Sequence, residues 1–314
     1  MEDQELIQRL DSLSQKDLNE YLKTYQVSED IIRRYAAKVN WNNISFNQTL
    51  SEGFIREYTE KVNWKYISSC QILSEPFIRE FADKLDWIKI SEYQKLSEDF
   101  IREFAVRVDW MNISCYHKLS EPFIREFADK LIWVCISVHQ ELSEPFIREF
   151  ADKVDWSYIS EFQTLSEDFI REFQDKVAWS GISMYQHISE DFIREFSDRV
   201  DLKTISWCQK LSEPFIREFA DKVDWSDISE RQKLSEPFIR EFGDRLDWDY
   251  LKTNPHLSHI DIDSLHTDYL ASKADYAALG RKAGAEAVKE QSAQPQKAEK
   301  TEVQSNTQSK SRKR

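Results

Sequence analysis

Glycine and proline are scarce in this chain, five and seven among 314 residues. Little therefore interrupts helix. No run of about eighteen apolar residues occurs, so no membrane-spanning helix is expected. The N-terminal stretch MEDQELIQRLDSL is acidic and amphipathic and lacks the basic start and apolar core of a secretory leader. Cysteine is also sparse. Cys70, Cys115, Cys135 and Cys208 never form a CxxC pair, which argues against a zinc knuckle or a disulfide framework and for a reducing, intracellular setting. No phosphate-binding loop, HExxH, nucleophile elbow or dinucleotide fingerprint is present, and neither an enzyme nor a cofactor is expected.

What is present is repetition. LSEPFIREFADKVDW stands at 142–156 and again at 211–225. Ten units of 23 residues run from 27 to 256 without an insertion, opening at Val27, Leu50, Leu73, Leu96, Leu119, Leu142, Leu165, Ile188, Leu211 and Leu234. Numbering each repeat 1 to 23 from that residue, position 6 is Ile in all ten and position 7 is Arg in all ten. Position 5 is Phe in nine, position 15 Trp in nine and position 18 Ile in nine. Ser at position 2 and Asp or Asn at position 14 are helix N-caps, and Pro at position 4 suits a first turn. The pattern predicts a first helix over positions 2–13, with 5, 6, 9 and 13 on one apolar stripe, and a shorter helix over 14–23. One such hairpin buries too little to fold alone, so neighbours must stack. The expected fold is an all-α solenoid of about ten two-helix repeats with buried Trp and Phe positions. Capping helices are expected at 1–26 and 257–280, the latter from Ser264 to Gly280 with Leu265, Tyr269 and Leu270 facing inward. A disordered basic tail is expected at 281–314.

The unit L-S-E-x-F-I-R-E-F-x-D-K-V-D-W-x-x-I-S-x-x-Q, complete from Leu142 to Gln163, resembles short tandem repeats in uncharacterised α-helical proteins of large DNA viruses. The likeness covers 27–250. It implies a virus-encoded repeat protein acting inside an infected cell and brings no activity, cofactor or catalytic residue.

Several recurrent polar groups have structural roles as their simplest reading. Arg at position 7 has carboxylates at i−4 and i+4, as Arg79 has Glu75 and Asp83, which suits a paired, solubilising ladder better than a phosphate grip. Gln at position 22 recurs in eight repeats, His117 and Pro255 being the exceptions, and is expected to bond a neighbouring loop backbone. His256 and His259, followed by Asp261 and Asp263, are too loosely spaced to name a metal site.

Positions 16, 17, 20 and 21 vary freely and lie opposite the constant face of the second helix. They hold Phe46, Tyr66, Tyr93, Tyr116, Tyr158, Phe162, Tyr185 and Trp207, with Met111, Val134, Val138 and Met184. Aromatic side chains in a row are typical of contact surfaces. Tyr93, Tyr116, Phe162, Tyr185 and Trp207 are the candidate partner-binding residues, with packing between neighbouring helices as the competing role. The expected function is a non-enzymatic scaffold that binds another protein.

An alternative from another class is an acidic decoy that mimics nucleic acid. Net charge is −14, with nine Lys/Arg and four Glu at 281–314 leaving −19 on the remainder, so the repeats themselves are not expected to bind nucleic acid. The expected location is the cytoplasm, with the Lys310–Arg314 terminus as a candidate nuclear import signal.

A strict period makes a direct prediction. Deleting one whole repeat, 142–164, is expected to leave a folded, less stable protein, whereas deleting eleven residues from it abolishes the cooperative thermal transition. Circular dichroism melts of both deletions check this.

Overall fold

The structure, a computed structural model, describes residues 2–275 and is an all-α solenoid. The chain divides into two compact units, Met1–Asp201 and Leu202–Arg314, each a series of stacked helices. Second helices pack on second helices in series within each unit. The expected tail, its basic terminus and the last part of the C-terminal helix lie outside the described residues.

The sixth repeat shows how the sequence makes the element. Ser143 caps the first helix by accepting from the Phe146 amide at 3.4 Å, with Pro145 in the first turn. That helix spans only Glu144–Glu149 and fully buries Phe146 and Ile147. It ends at Phe150, where the backbone leaves α geometry and the amides of Lys153 and Val154 both return to the Phe150 carbonyl. The expected helix over positions 2–13 is thus corrected to positions 3–8 followed by a tight turn. A reason is visible in Trp156, whose indole N–H takes the Ala151 carbonyl at 2.9 Å and turns that oxygen away from helix continuation. Asp155 then caps the second helix, Trp156–Phe162, accepting from Ser157 and Tyr158 at 3.0 and 3.4 Å. This helix also is shorter than expected, because Gln163 at position 22 is extended.

Helices of six and seven residues are marginal in isolation, so the contacts between repeats carry the fold. Trp156 lies over the next repeat, with ring centroids 4.8 Å from Phe173 and 6.2 Å from Phe169. The Trp positions are half-buried rather than buried as expected, since one edge keeps its N–H on the turn and Lys176 lies 5.9 Å from the ring centroid. Buried Ser160 donates to the Trp156 carbonyl at 2.6 Å and accepts from the Ala178 amide of the next repeat at 2.9 Å. Gln163 accepts from the Leu142 amide at 2.9 Å and donates to the Ser137 and Gln140 carbonyls of the preceding repeat at 3.3 and 2.8 Å. Gln71, Gln94, Gln140, Gln186 and Gln232 make the same three bonds, which is the backbone role expected of position 22.

The charged ladder also joins repeats. Arg148 reaches Glu172 of the next repeat at 2.7 Å and lies 4.9 Å from the Phe169 ring centroid, while its own Glu144 is 3.8 Å away. The expected i+4 pair with Asp at position 11 does not form. Asp83 pairs with Arg107 and Asp152 with Lys176, each in the following repeat, because position 11 lies in the turn and points past its own Arg.

Both ends of the array are closed by substitutes. Leu22 and Tyr25, in and after the helix Gln15–Thr24, present carbonyls to Gln48 as a repeat would. At the other end Asn254 performs the amide role one position early, donating to Ser229 and Gln232 carbonyls at 2.8 and 2.9 Å, so that Pro255 can follow. A helix capped by Asp261 runs from 262 through 275, burying Ile262, Leu265 and Tyr269. Leu270, expected to face inward, is exposed, one step round the helix from that stripe. His266 and Tyr269 cover Trp248 at ring distances of 4.0 and 5.4 Å. Gly243 makes room for this, since a Cβ there would meet the Tyr269 ring at 2.6 Å.

The two bridging systems differ in cost when broken. Gln163→Ala strands a buried amide and two carbonyls and is expected to lower stability by about 2–4 kcal/mol. Arg148→Ala removes exposed contacts and should cost about 1 kcal/mol. Urea denaturation of the two variants side by side checks the order.

Candidate functional site

The constant positions of the second helix face the stack: Ile159 and Ser160 are fully buried, and Ile and Ser are likewise buried in the neighbouring repeats. Positions 16, 20, 17 and 21 therefore form one continuous outward arc. Tyr93, Tyr116, Phe162, Tyr185 and Trp207 remain 55%, 65%, 52%, 51% and 47% exposed, so none of the five rings belongs to the core. Tyr93 and Tyr116 occupy the same position in successive repeats, as do Phe162 and Tyr185. Trp207 belongs to the other compact unit.

Each ring has a distinct setting. The Glu92 carboxylate beside the Tyr93 hydroxyl raises that phenol above its ordinary value, and Lys89 lies 5.3 Å from the ring centroid while pairing with Glu92 at 2.8 Å. Phe162 stacks on Tyr158 of its own helix at 6.1 Å, and with Tyr185 and His187 it lines a cavity of about 240 Å³. Trp207 carries the Arg231 guanidinium over its ring at 3.1 Å. Cys208, Lys210 and His256 complete a cavity of about 410 Å³ around that pair.

An apolar row extends beyond the residues singled out in the sequence, with Ile88 the addition. Ile88, Met111 and Val134, all at position 16 of consecutive repeats, are exposed beside Tyr93 and Tyr116. Ile132 and Val106 add exposed apolar surface to the same three repeats. The signal was available as one position apolar three times in succession. It was masked because Ile88 follows Trp87 and reads as core.

Position 20 of one repeat meets position 17 of the next. Phe46 and Tyr66 make an edge-to-face ring pair at 5.1 Å in this way. Cys115 and Cys135 occupy the same relation, with Cα atoms 4.9 Å apart, and form a disulfide. The cysteines, read from their spacing as too scattered for a disulfide framework, thus supply one cross-link, and their pattern no longer argues for a reducing compartment. The reason is the repeat itself: residues 20 apart face each other across a joint. Cys70 and Cys208 are free thiols.

Among the described residues no three His, Cys, Asp or Glu side chains converge as a metal set, and no helix is long and apolar enough to cross a membrane. Comparison with known proteins yields no matching family model, no matching curated protein and no matching solved structure.

His117 stands where other repeats have Gln. Its Nε2–H donates to the Ser91 carbonyl at 2.8 Å, replacing one of the three amide bonds. Burial lowers its pKa from the ordinary 6.5, while the bond to Ser91 opposes the shift more weakly. The unfolded chain thus binds a proton that the folded one resists. This stability is fully present above pH 6.5 and lost as pH falls through the depressed folded value. His117→Gln is expected to lose less melting temperature than the parent between about pH 7.5 and about pH 5.5, as thermal melts at both values would register.

Proposed function

We propose that this chain is a non-enzymatic repeat scaffold that binds a protein partner through the outward arc of its second helices, centred on the third to fifth repeats. The observation that carries this is the partition of the surface. Recurrent polar groups join one repeat to the next, while Ile88, Tyr93, Met111, Tyr116 and Val134 stand exposed together without such a role. Large rigid rings on a prebuilt surface give contact area at low entropic cost. Exposed apolar side chains concentrated in three consecutive repeats support a contact site there. The acidic-decoy reading draws less support, because carboxylates at positions 3, 8 and 11 are engaged by Arg and Lys along the stack. Action inside a virus-infected cell, in cytoplasm or nucleus, is the setting that the repeat resemblance suggests.

Tyr93, Tyr116 and Tyr185 changed together to Ser should leave far-ultraviolet circular dichroism nearly unchanged. Proteins captured from cell lysate by the parent chain should be lost or much reduced with the variant. A variant that unfolds assigns the rings to packing, and one that captures the same proteins as well as the parent places the contact elsewhere.

A further inference from the structure

The joint between the fourth and fifth repeats departs from the others at several points at once. At six other joints a carboxylate at position 11 holds a Lys or Arg of the next repeat, as Asp83 holds Arg107 and Asp129 holds Lys153. Here position 11 is Val106, almost wholly exposed, and Lys130 has only ring contacts, 5.4 Å from the Trp110 centroid and 5.7 Å from Phe127. The next second helix, Trp133–His139, starts at Ile132 and has no side-chain cap, whereas Asp109 and Asp155 cap its neighbours. The first joint also lacks the ion pair, since position 11 is Ala37, but Asn63 caps its second helix. Ala178 leaves another second helix uncapped, but there Asp152 holds Lys176. Among the described residues only the joint between repeats four and five lacks both contacts, and that joint carries the Cys115–Cys135 bond.

We propose that Cys115 and Cys135 are a reversible dithiol/disulfide site that locks this joint, exchanging with a low-molecular-weight disulfide. In the forward direction one cysteine thiolate attacks a sulfur of RSSR and expels RS⁻, which takes up a proton. The second cysteine, deprotonated, then displaces the remaining RS⁻ from the mixed disulfide. Two protein thiols and RSSR become one protein disulfide and two RSH, and excess RSH reverses both steps. The 4.9 Å between Cα atoms lies within the span a disulfide bridges. Both cysteines are partly exposed, so a small disulfide can reach them. Because the pair lies on the outward arc beside Met111, Tyr116 and Val134, opening the joint alters the apolar patch. The site requires no particular partner, and its test reads the joint itself.

The full chain would be equilibrated in buffers of reduced or oxidised glutathione, then analysed by thiol alkylation and by hydrogen exchange with mass spectrometry. In oxidised buffer the linked peptides of Cys115 and Cys135 should appear, with Cys70 and Cys208 linked to no other cysteine of the chain. In reduced buffer, backbone amides over 106–141 should exchange about tenfold faster than in oxidised buffer, with 142–187 unchanged. C115S/C135S should exchange like the reduced parent in both buffers. V106D/I132D restores the carboxylate and the cap, and should shrink the reduced-to-oxidised difference to about twofold or less. Cysteines that stay alkylatable in oxidised glutathione overturn the proposal. So do equal exchange rates in the two buffers, or a full difference retained in V106D/I132D.

Discussion

A buried carboxamide at most joints sets the geometry on which the rest of the stack depends. A Gln at position 22 has one acceptor oxygen and two donor hydrogens and uses all three: the oxygen takes the position-1 amide of its own repeat, and the hydrogens go to carbonyls at positions 19 and 22 of the repeat before. Each bond fixes a different direction, so together they fix how far and at what angle one repeat sits from the next. Glu offers no donor for the two carbonyls, and Asn is a methylene short. Asn254 shows the second point, since it serves only by moving one position toward the preceding repeat. His117 keeps a single bond to the position-19 carbonyl.

Around this amide the weaker contacts fall into order. The ladder from Arg to Glu of the next repeat is exposed and screened by salt, so each rung adds little to stability. Its regularity does something else. Glu144 accepts from the Ser166 amide at 2.7 Å while remaining near Arg148, which ties the start of each first helix to the carboxylate of the one before. Arg and Lys are thereby neutralised locally all along the stack, and an acidic chain can keep its like charges from pushing the repeats apart. The Trp rings extend the same logic on the apolar side, as Trp156 covers Phe169 and Phe173 of the next repeat.

Much of this was legible in the sequence, and what was not has a common cause. Ser at position 2 and Asp at position 14 announced their helices, and Gln at position 22 announced a backbone role, because caps and buried amides act locally or through a constant neighbour. The helix ends were misplaced because Trp at position 15 takes a carbonyl five residues back, a competition that periodicity does not record. The Asp partner at position 11 was misassigned because i+4 spacing presumes a helix where the chain already turns. Cys115 and Cys135 looked scattered because 20 is not a helical spacing. It is the repeat length less three, and becomes a contact only once the second helices lie side by side. Tyr93, Tyr116, Phe162, Tyr185 and Trp207 are exposed, as their positions opposite the constant face of the second helix imply. Ile88 was missed beside them for its resemblance to core.

The same 20-residue relation explains how the chain varies so much at constant architecture. With the amide, the serine and the Trp stack holding each joint from within, the outward pair at positions 20 and 17 is relieved of structural duty. It can be two rings, as Phe46 and Tyr66, or two sulfurs, as Cys115 and Cys135. Each joint therefore carries an independent choice of surface chemistry, and the order of those choices gives the arc a direction that identical repeats would lack.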